Sequence, residues 1–228
     1  MTTQPPASDG ENALDPAQML ALVEDQKRSV EGQLASFVPV IVTAWGIAWL
    51  VGFGCLWLID GLAPAFALPL PLAVAIFVLL LMGAIAVSAV LGIRSGRGMR
   101  GSSAEAFAGI VYGCTWTIGS LAIVGFGAGL SFNGMSAELA NIFYPIAFVL
   151  FAGIMYILSA ALWRAVPMLI LGVWTLIVAV AAPFFGMPTH YLVLALGGGL
   201  GFLALGVASF VYLRRLRARV TRRAAGHG

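Results

Sequence analysis

Residues Leu68–Arg94 read LPLPLAVAIFVLLLMGAIAVSAVLGIR, 26 uncharged residues closed by an arginine. An α-helix rises about 1.5 Å per residue, so about 20 apolar residues cross a hydrocarbon layer roughly 30 Å thick. The run is continuously apolar rather than alternating, which favours a helix over a barrel strand. Five other runs qualify: Phe37–Ile59, Phe107–Leu130, Leu139–Trp163, Val166–Phe185 and Tyr191–Leu213. None has a charged side chain in its interior. The expected fold class is therefore an all-α membrane protein, a six-transmembrane-helix bundle.

Composition agrees. Hydrophobic residues make up 61% of the 228-residue chain and charged residues 9%. A soluble domain carries roughly 25% charged residues and needs them to cover its surface. Turn signals fall between the runs: Asp60-Gly61 with Pro64, Pro69 and Pro71, then Asn133-Gly134, then Gly186, Pro188 and Thr189. Ser102 with Glu105 three residues on is a capping box that predicts a helix start near Ser103. Pro145, four residues after Asn141, predicts a local kink or a widened helix start.

The net charge is +3, but its placement says more than its size. Lys27 and Arg28 precede the first run. Arg94, Arg97 and Arg100 follow the second, and Arg164 follows the fourth. Arg214, Arg215, Arg217, Arg219, Arg222 and Arg223 follow the sixth. These account for all 12 basic residues, and with six spans they share one side of the membrane. Basic loops stay cytoplasmic, so both termini are expected there. The opposite side holds only Asp60, Glu138 and His190 as titratable side chains. Aromatic residues flank the runs as an interfacial belt, with Trp57, Phe132, Phe185 and Tyr191 at one level and Phe37, Phe107, Trp163 and Tyr212 at the other.

The chain divides accordingly into a disordered N-tail over 1–13, a cytoplasmic amphipathic helix over 14–35, a transmembrane domain over 36–213 and a basic tail over 214–228. Asp15 is a good N-cap with Pro16 at the first helical position. Leu20, Val23, Val30 and Leu34 lie on or near one stripe of the following helix. That stripe suits either a membrane surface or a cytoplasmic partner, against the plainer reading of a helical lead into the first span. The arginine tail suits anionic lipid, at about 1 kcal/mol per basic residue near an anionic leaflet. It is also placed to pair with the acidic residues of the N-terminal helix. Nucleic acid is not an expected partner, because the arginines cluster only beside apolar spans.

No motif for a known chemistry is present. The spans lack the buried acid or histidine of proton-coupled carriers, and no His-Glu-x-x-His pattern occurs. No catalytic, cofactor or metal site is expected, and neither is enzymatic activity. Cys55 and Cys114 differ in helix depth by about 15 Å, which excludes a disulfide and leaves them as packing residues. The most polar span interior holds Tyr112, Thr115, Trp116, Thr117 and Ser120. Tyr112, Trp116 and Ser120 share a helix face, and with Thr117, Trp45 and Trp174 they are the candidate lining of a small cavity. The plainer reading gives their hydroxyls to backbone carbonyls and their rings to packing.

Trp45, Trp116 and Trp174 each lie about nine residues into an odd-numbered span, followed by Gly46, Thr117 and Thr175. Gly83 precedes Arg94 by the same interval that separates Gly153 from Arg164. Three repeated helical hairpins would produce this pattern, and so would chance similarity among glycine-rich apolar segments. Gly109/Gly113, Gly125/Gly129 and Gly197/Gly201 form GxxxG faces, suited to packing within the monomer or to dimerisation.

The segment from Asp15-Pro16-Ala17 through Glu24-Asp25-Gln26 to Trp45-Gly46-Ile47-Ala48-Trp49-Leu50-Val51-Gly52-Phe53-Gly54 resembles the start of uncharacterised actinobacterial integral membrane proteins, often labelled transporters or permeases. The resemblance covers about the first quarter of the chain. It implies a bacterial inner-membrane location and transfers no functional residue. The functional expectation is a transport-related protein, either a small permease or the membrane component of an exporter. The alternative is an accessory or sensory membrane protein acting through its N-terminal helix and basic tail.

Overall fold

The computed structural model describes residues 16–96 and 103–225, with side chains described for Met19, 37–94 and 103–215. The expectations for residues 1–13, for the Arg97–Arg100 loop, for the Ser102 cap and for pairing between the two termini fall outside these. So do the side chains of Arg217, Arg219, Arg222 and Arg223.

The elements are α1 (Pro16–Trp57), α2 (Leu70–Gly96), α3 (Ser103–Phe132), α4 (Ala137–Trp163) and α5 (Val166–Ala181), followed by a 3-10 turn (Ala182–Phe185). Then come α6 (Thr189–Val193), a π-helical stretch (Leu194–Gly199) and α7 (Leu200–Ala225). Six stretches are long and apolar enough to span a membrane: Phe37–Trp57, Leu70–Arg94, Ser103–Phe132, Ala137–Trp163, Val166–Phe185 and Thr189–Arg215. No strand occurs among the described residues, only an isolated bridge between Leu62 and Phe66. The chain is a multi-pass, all-α six-helix membrane bundle.

The N-terminal helix does not stand apart from the first span. α1 continues unbroken for 42 residues, with Pro39 inside it. Proline removes one backbone donor and crowds the preceding turn, yet the flanking hydrogen bonds carry the helix across. The other boundaries follow local chemistry. Gly134 takes a φ of 96° in the turn before α4, a conformation open to glycine at little cost. Ser136 then accepts a 3.2 Å hydrogen bond from the Leu139 N–H as the N-cap of α4. At the other end of α4, Arg164 adopts φ 52°, ψ 38° and its N–H donates to the Ala160 carbonyl. That left-handed position usually holds glycine or asparagine, and a residue with a Cβ costs roughly 1–2 kcal/mol there.

The spans pack antiparallel. Trp45 of α1 reaches Ser88 of α2, while Gly52, further along α1, lies under Phe77. Among the α2 residues turned inward, Ala73, Phe77, Leu80, Ala84, Val87 and Leu91 follow an alternating four-and-three spacing along one seam, with Ile76, Leu81 and Ser88 beside it. α1 also runs against the π-helical stretch and α7, so closely that a Cβ on Gly199 would lie 2.7 Å from the Leu50 backbone. α4 and α5 make an equally tight pair, in which a Cβ on Gly172 would lie 2.8 Å from the Gly153 carbonyl. In lipid there is no hydrophobic drive between helices, so such close approach supplies much of the association. α3 packs mainly on α4. The core joins Trp49, Phe53, Val149, Leu171, Val178, Leu194 and Phe202 from α1, α4, α5 and the sixth span. α2 and α3 flank this core and turn most of their surface outward.

Candidate functional site

Of the polar and aromatic positions of α3, Tyr112 and Trp116 pack toward α4. Tyr112 donates its hydroxyl to the Met155 carbonyl at 3.4 Å and meets Trp163 edge-to-face, with ring centroids 4.9 Å apart. Trp116 meets Phe151 at 5.3 Å and Tyr156 at 6.1 Å. Ser120 is half-buried, whereas Thr117 is exposed. Thr115 donates to its own helix at the Val111 carbonyl, 2.8 Å away. On α1, Trp45 donates its indole N–H to the Ser88 hydroxyl at 3.0 Å. On α5, Trp174 is exposed and donates to the Gly197 carbonyl at 2.8 Å. Trp45 and Trp116 both pack against the core cluster. Trp174 faces the π-helical stretch instead. Each tryptophan is thus engaged with the span that follows its own.

The glycine pairs divide. A Cβ on Gly197 or Gly201 would meet Val178 or Trp174, so this pair is packed inside the bundle. Gly109, Gly113, Gly125 and Gly129 have open space where a Cβ would sit. Cys114 is an exposed free thiol on the same helix, and Cys55 is half-buried and also free.

A second polar centre lies at the end opposite the arginines. Its starting point is Pro145, whose ring nitrogen has no hydrogen to give the carbonyl of Asn141 one turn earlier. An unpaired carbonyl in a membrane is expensive, and two side chains from the start of the sixth span supply donors. The Tyr191 hydroxyl donates to the Asn141 carbonyl at 3.3 Å. His190 Nε2 lies 3.2 Å from the same oxygen, and Nδ1 lies 3.3 Å from the Gly186 carbonyl. The Gly186 carbonyl also accepts the His190 backbone N–H at 2.8 Å. A neutral imidazole has one N–H and donates to one of the two carbonyls, while the imidazolium form donates to both. The His190 side chain is wholly buried, its ring 3.9 Å from that of Tyr191, which in turn stacks on Phe53 of α1. Three spans are therefore joined at one end through a carbonyl that a proline set free. By composition alone His190 reads as an isolated residue of a loop. The signal that was available is the Asn141-to-Pro145 spacing, but the residue answering it is 49 positions away.

Thr175 is the third polar position of note. It lies in the middle of α5 with no exposed surface, and among the described residues its hydroxyl has no hydrogen-bond partner. Its inward direction follows from the buried stripe it shares with Leu171, Val178 and Ala182. The two clearest concavities lie elsewhere, on the outer surface of the bundle. One is lined by Ile157, Ala160, Ala161, Arg164, Val166 and Leu169, and the other by Leu176, Ile177, Val180, Ala181 and Phe184. Among the described residues no group of three or more His, Cys, Asp or Glu side chains is placed to hold a metal ion. Comparison with protein-family models, curated proteins and solved structures finds no match to this chain.

Proposed function

We propose that this protein is an accessory or sensory membrane protein, acting on other components through the surfaces it presents rather than conducting a solute by itself. One observation carries the reading: among the described residues the interior of the bundle is filled. Phe202, Met155, Leu194, His190, Val149 and Thr175 are its largest enclosed side chains, and the clearest concavities face outward. A permease with its own path needs polar groups converging on a central opening. Here the indole N–H groups of Trp45 and Trp174 are given to Ser88 and Gly197. The open glycines of α3 offer two helix-packing faces, Gly109 with Gly113 and Gly125 with Gly129, to a membrane partner or a second copy. In this reading both termini are cytoplasmic in a bacterial inner membrane, with the basic tail against anionic lipid. The one-sided distribution of the 12 basic residues supports that orientation.

The test has two arms. Purified in mild detergent, the protein is expected to bring down a stoichiometric membrane or cytoplasmic partner. In liposomes by itself it is expected to give no passage of ions, sugars or amino acids above that of empty vesicles. Flux through the protein alone would restore the permease reading and end this one.

A repeated-hairpin origin belongs to the same proposal. Its support is that Trp45, Trp116 and Trp174 each engage the following span. Superposing the three hairpins should bring the tryptophans to equivalent positions, and a mismatch of a full helical turn would discard the repeat.

A further inference from the structure

The groove between the end of α4 and the start of α5 combines an apolar wall with a single cation. Its volume is about 310 Å³, and five of its lining residues are apolar: Ile157, Ala160, Ala161, Val166 and Leu169. The sixth is Arg164. Arg164 is exposed, and no described acidic side chain pairs with it. Its backbone holds the left-handed conformation that ends α4, where glycine would be the easier choice. An arginine kept at a strained position directs attention to its side chain. Trp163, also exposed, sits immediately before it, at a depth where aromatic residues meet headgroups.

We propose that this groove is a binding site for an anionic phospholipid. One acyl chain lies along the apolar wall, and the phosphate sits on the Arg164 guanidinium. Charge complementarity selects this occupant. The groove opens outward between two spans long and apolar enough to cross a membrane, so an acyl chain is the apolar segment suited to fill it. A guanidinium presents a planar fork of N–H donors that matches phosphate oxygens, and its stem lets it reach the headgroup level from the helix end. A zwitterionic headgroup presents the same phosphate but adds a cation beside the guanidinium, which weakens the pairing.

Native mass spectrometry of the full-length protein, with phosphatidylglycerol and phosphatidylcholine of identical chains, tests the site. The wild-type protein is expected to retain one phosphatidylglycerol at least about tenfold more readily than phosphatidylcholine. Arg164→Gln and Arg164→Gly should abolish that preference, and Arg164→Lys should keep part of it. Arg164→Gly also relieves the strained backbone, so its thermal stability in detergent should hold or rise while lipid retention falls. That split separates the guanidinium from a merely structural role. Ala161→Trp, which fills the groove and leaves the charge, should weaken retention as well. Arg214→Gln and Arg215→Gln should leave this one lipid bound. Equal retention by Arg164→Gln and wild type would overturn the proposal. So would full retention by Ala161→Trp, or displacement of phosphatidylglycerol by millimolar inorganic phosphate, since either would leave only a simple anion contact.

Discussion

Thr175 and His190 are both fully buried, and they carry opposite expectations. A buried hydroxyl without a partner costs about 1–3 kcal/mol, whereas an apolar group of the same shape costs nothing comparable. Thr175→Val is therefore expected to stabilise the bundle by about 1 kcal/mol. Reversible unfolding in mixed detergent micelles would measure it, and a loss of stability would mean that the hydroxyl is bonded in the membrane. His190→Ala leaves the Asn141 carbonyl with the Tyr191 hydroxyl as its remaining partner, so a loss of about 1–3 kcal/mol is expected. Pro145→Ala returns an N–H to that carbonyl within α4. The pair Pro145→Ala with His190→Ala should then cost less than the sum of the single changes, a coupling that a double-mutant cycle reads directly. Strict additivity would show that the proline and the histidine do not share the carbonyl.

At the scale of elements, glycine separates inward from outward faces. Gly199→Ala would press a methyl group onto the Leu50 backbone, and neither helix can yield without breaking its own ladder. A loss of about 1–3 kcal/mol is expected. Gly125→Ala meets open space, and alanine is the better helix former by roughly 0.5–1 kcal/mol, so this change should be neutral or stabilising in a monomer. A marked loss at Gly125, measured by the same unfolding, would mean that another helix covers α3. The sequence predicts Gly125 and Gly197 alike as packing glycines and does not single out Gly199, because the surroundings are apolar in either direction. Helix existence was legible, since a membrane demands about 20 apolar residues per crossing and the six runs supply them. Helix faces were not. In water the polar side of a helix marks its exterior, but lipid removes that contrast, and α3 carries threonines on both inward and outward positions. The π-helical stretch escaped notice for a related reason. Leu194–Gly199 has the composition of any flexible apolar turn, and only its fit between α5, where Gly197 meets Val178, and α1, where Gly198 and Gly199 meet Trp49 and Leu50, gives the Gly197–Gly199 run a role.

For the molecule as a whole, the six spans divide into two tight pairs, α1 with α2 and α4 with α5, with the sixth span packed chiefly on α1 and α3 mainly on α4. The proposed orientation rests on the one-sided basic residues. Single cysteines introduced at Ala63 and Ser131, with Cys55 and Cys114 replaced by serine, should react with an impermeant thiol reagent added outside intact cells. Cysteines at Arg164 and Arg215 should react only after lysis. Labelling of Arg164→Cys from outside would invert the topology. The candidate lining residues were legible as a polar group on α3, yet which neighbour each would meet depended on the pairing of α3 with α4. One more property follows from the unbroken α1. At 1.5 Å per residue its 42 residues form a rod about 63 Å long, more than the bilayer requires. Pro39 sits where the rod enters the bundle, and about 23 residues extend beyond it. A 10° change of bend there would carry the far end sideways by about 6 Å, taking the same rise per residue. The long arm thus multiplies small angular changes at the membrane surface into movements of side-chain size, the gearing of a pointer on a dial.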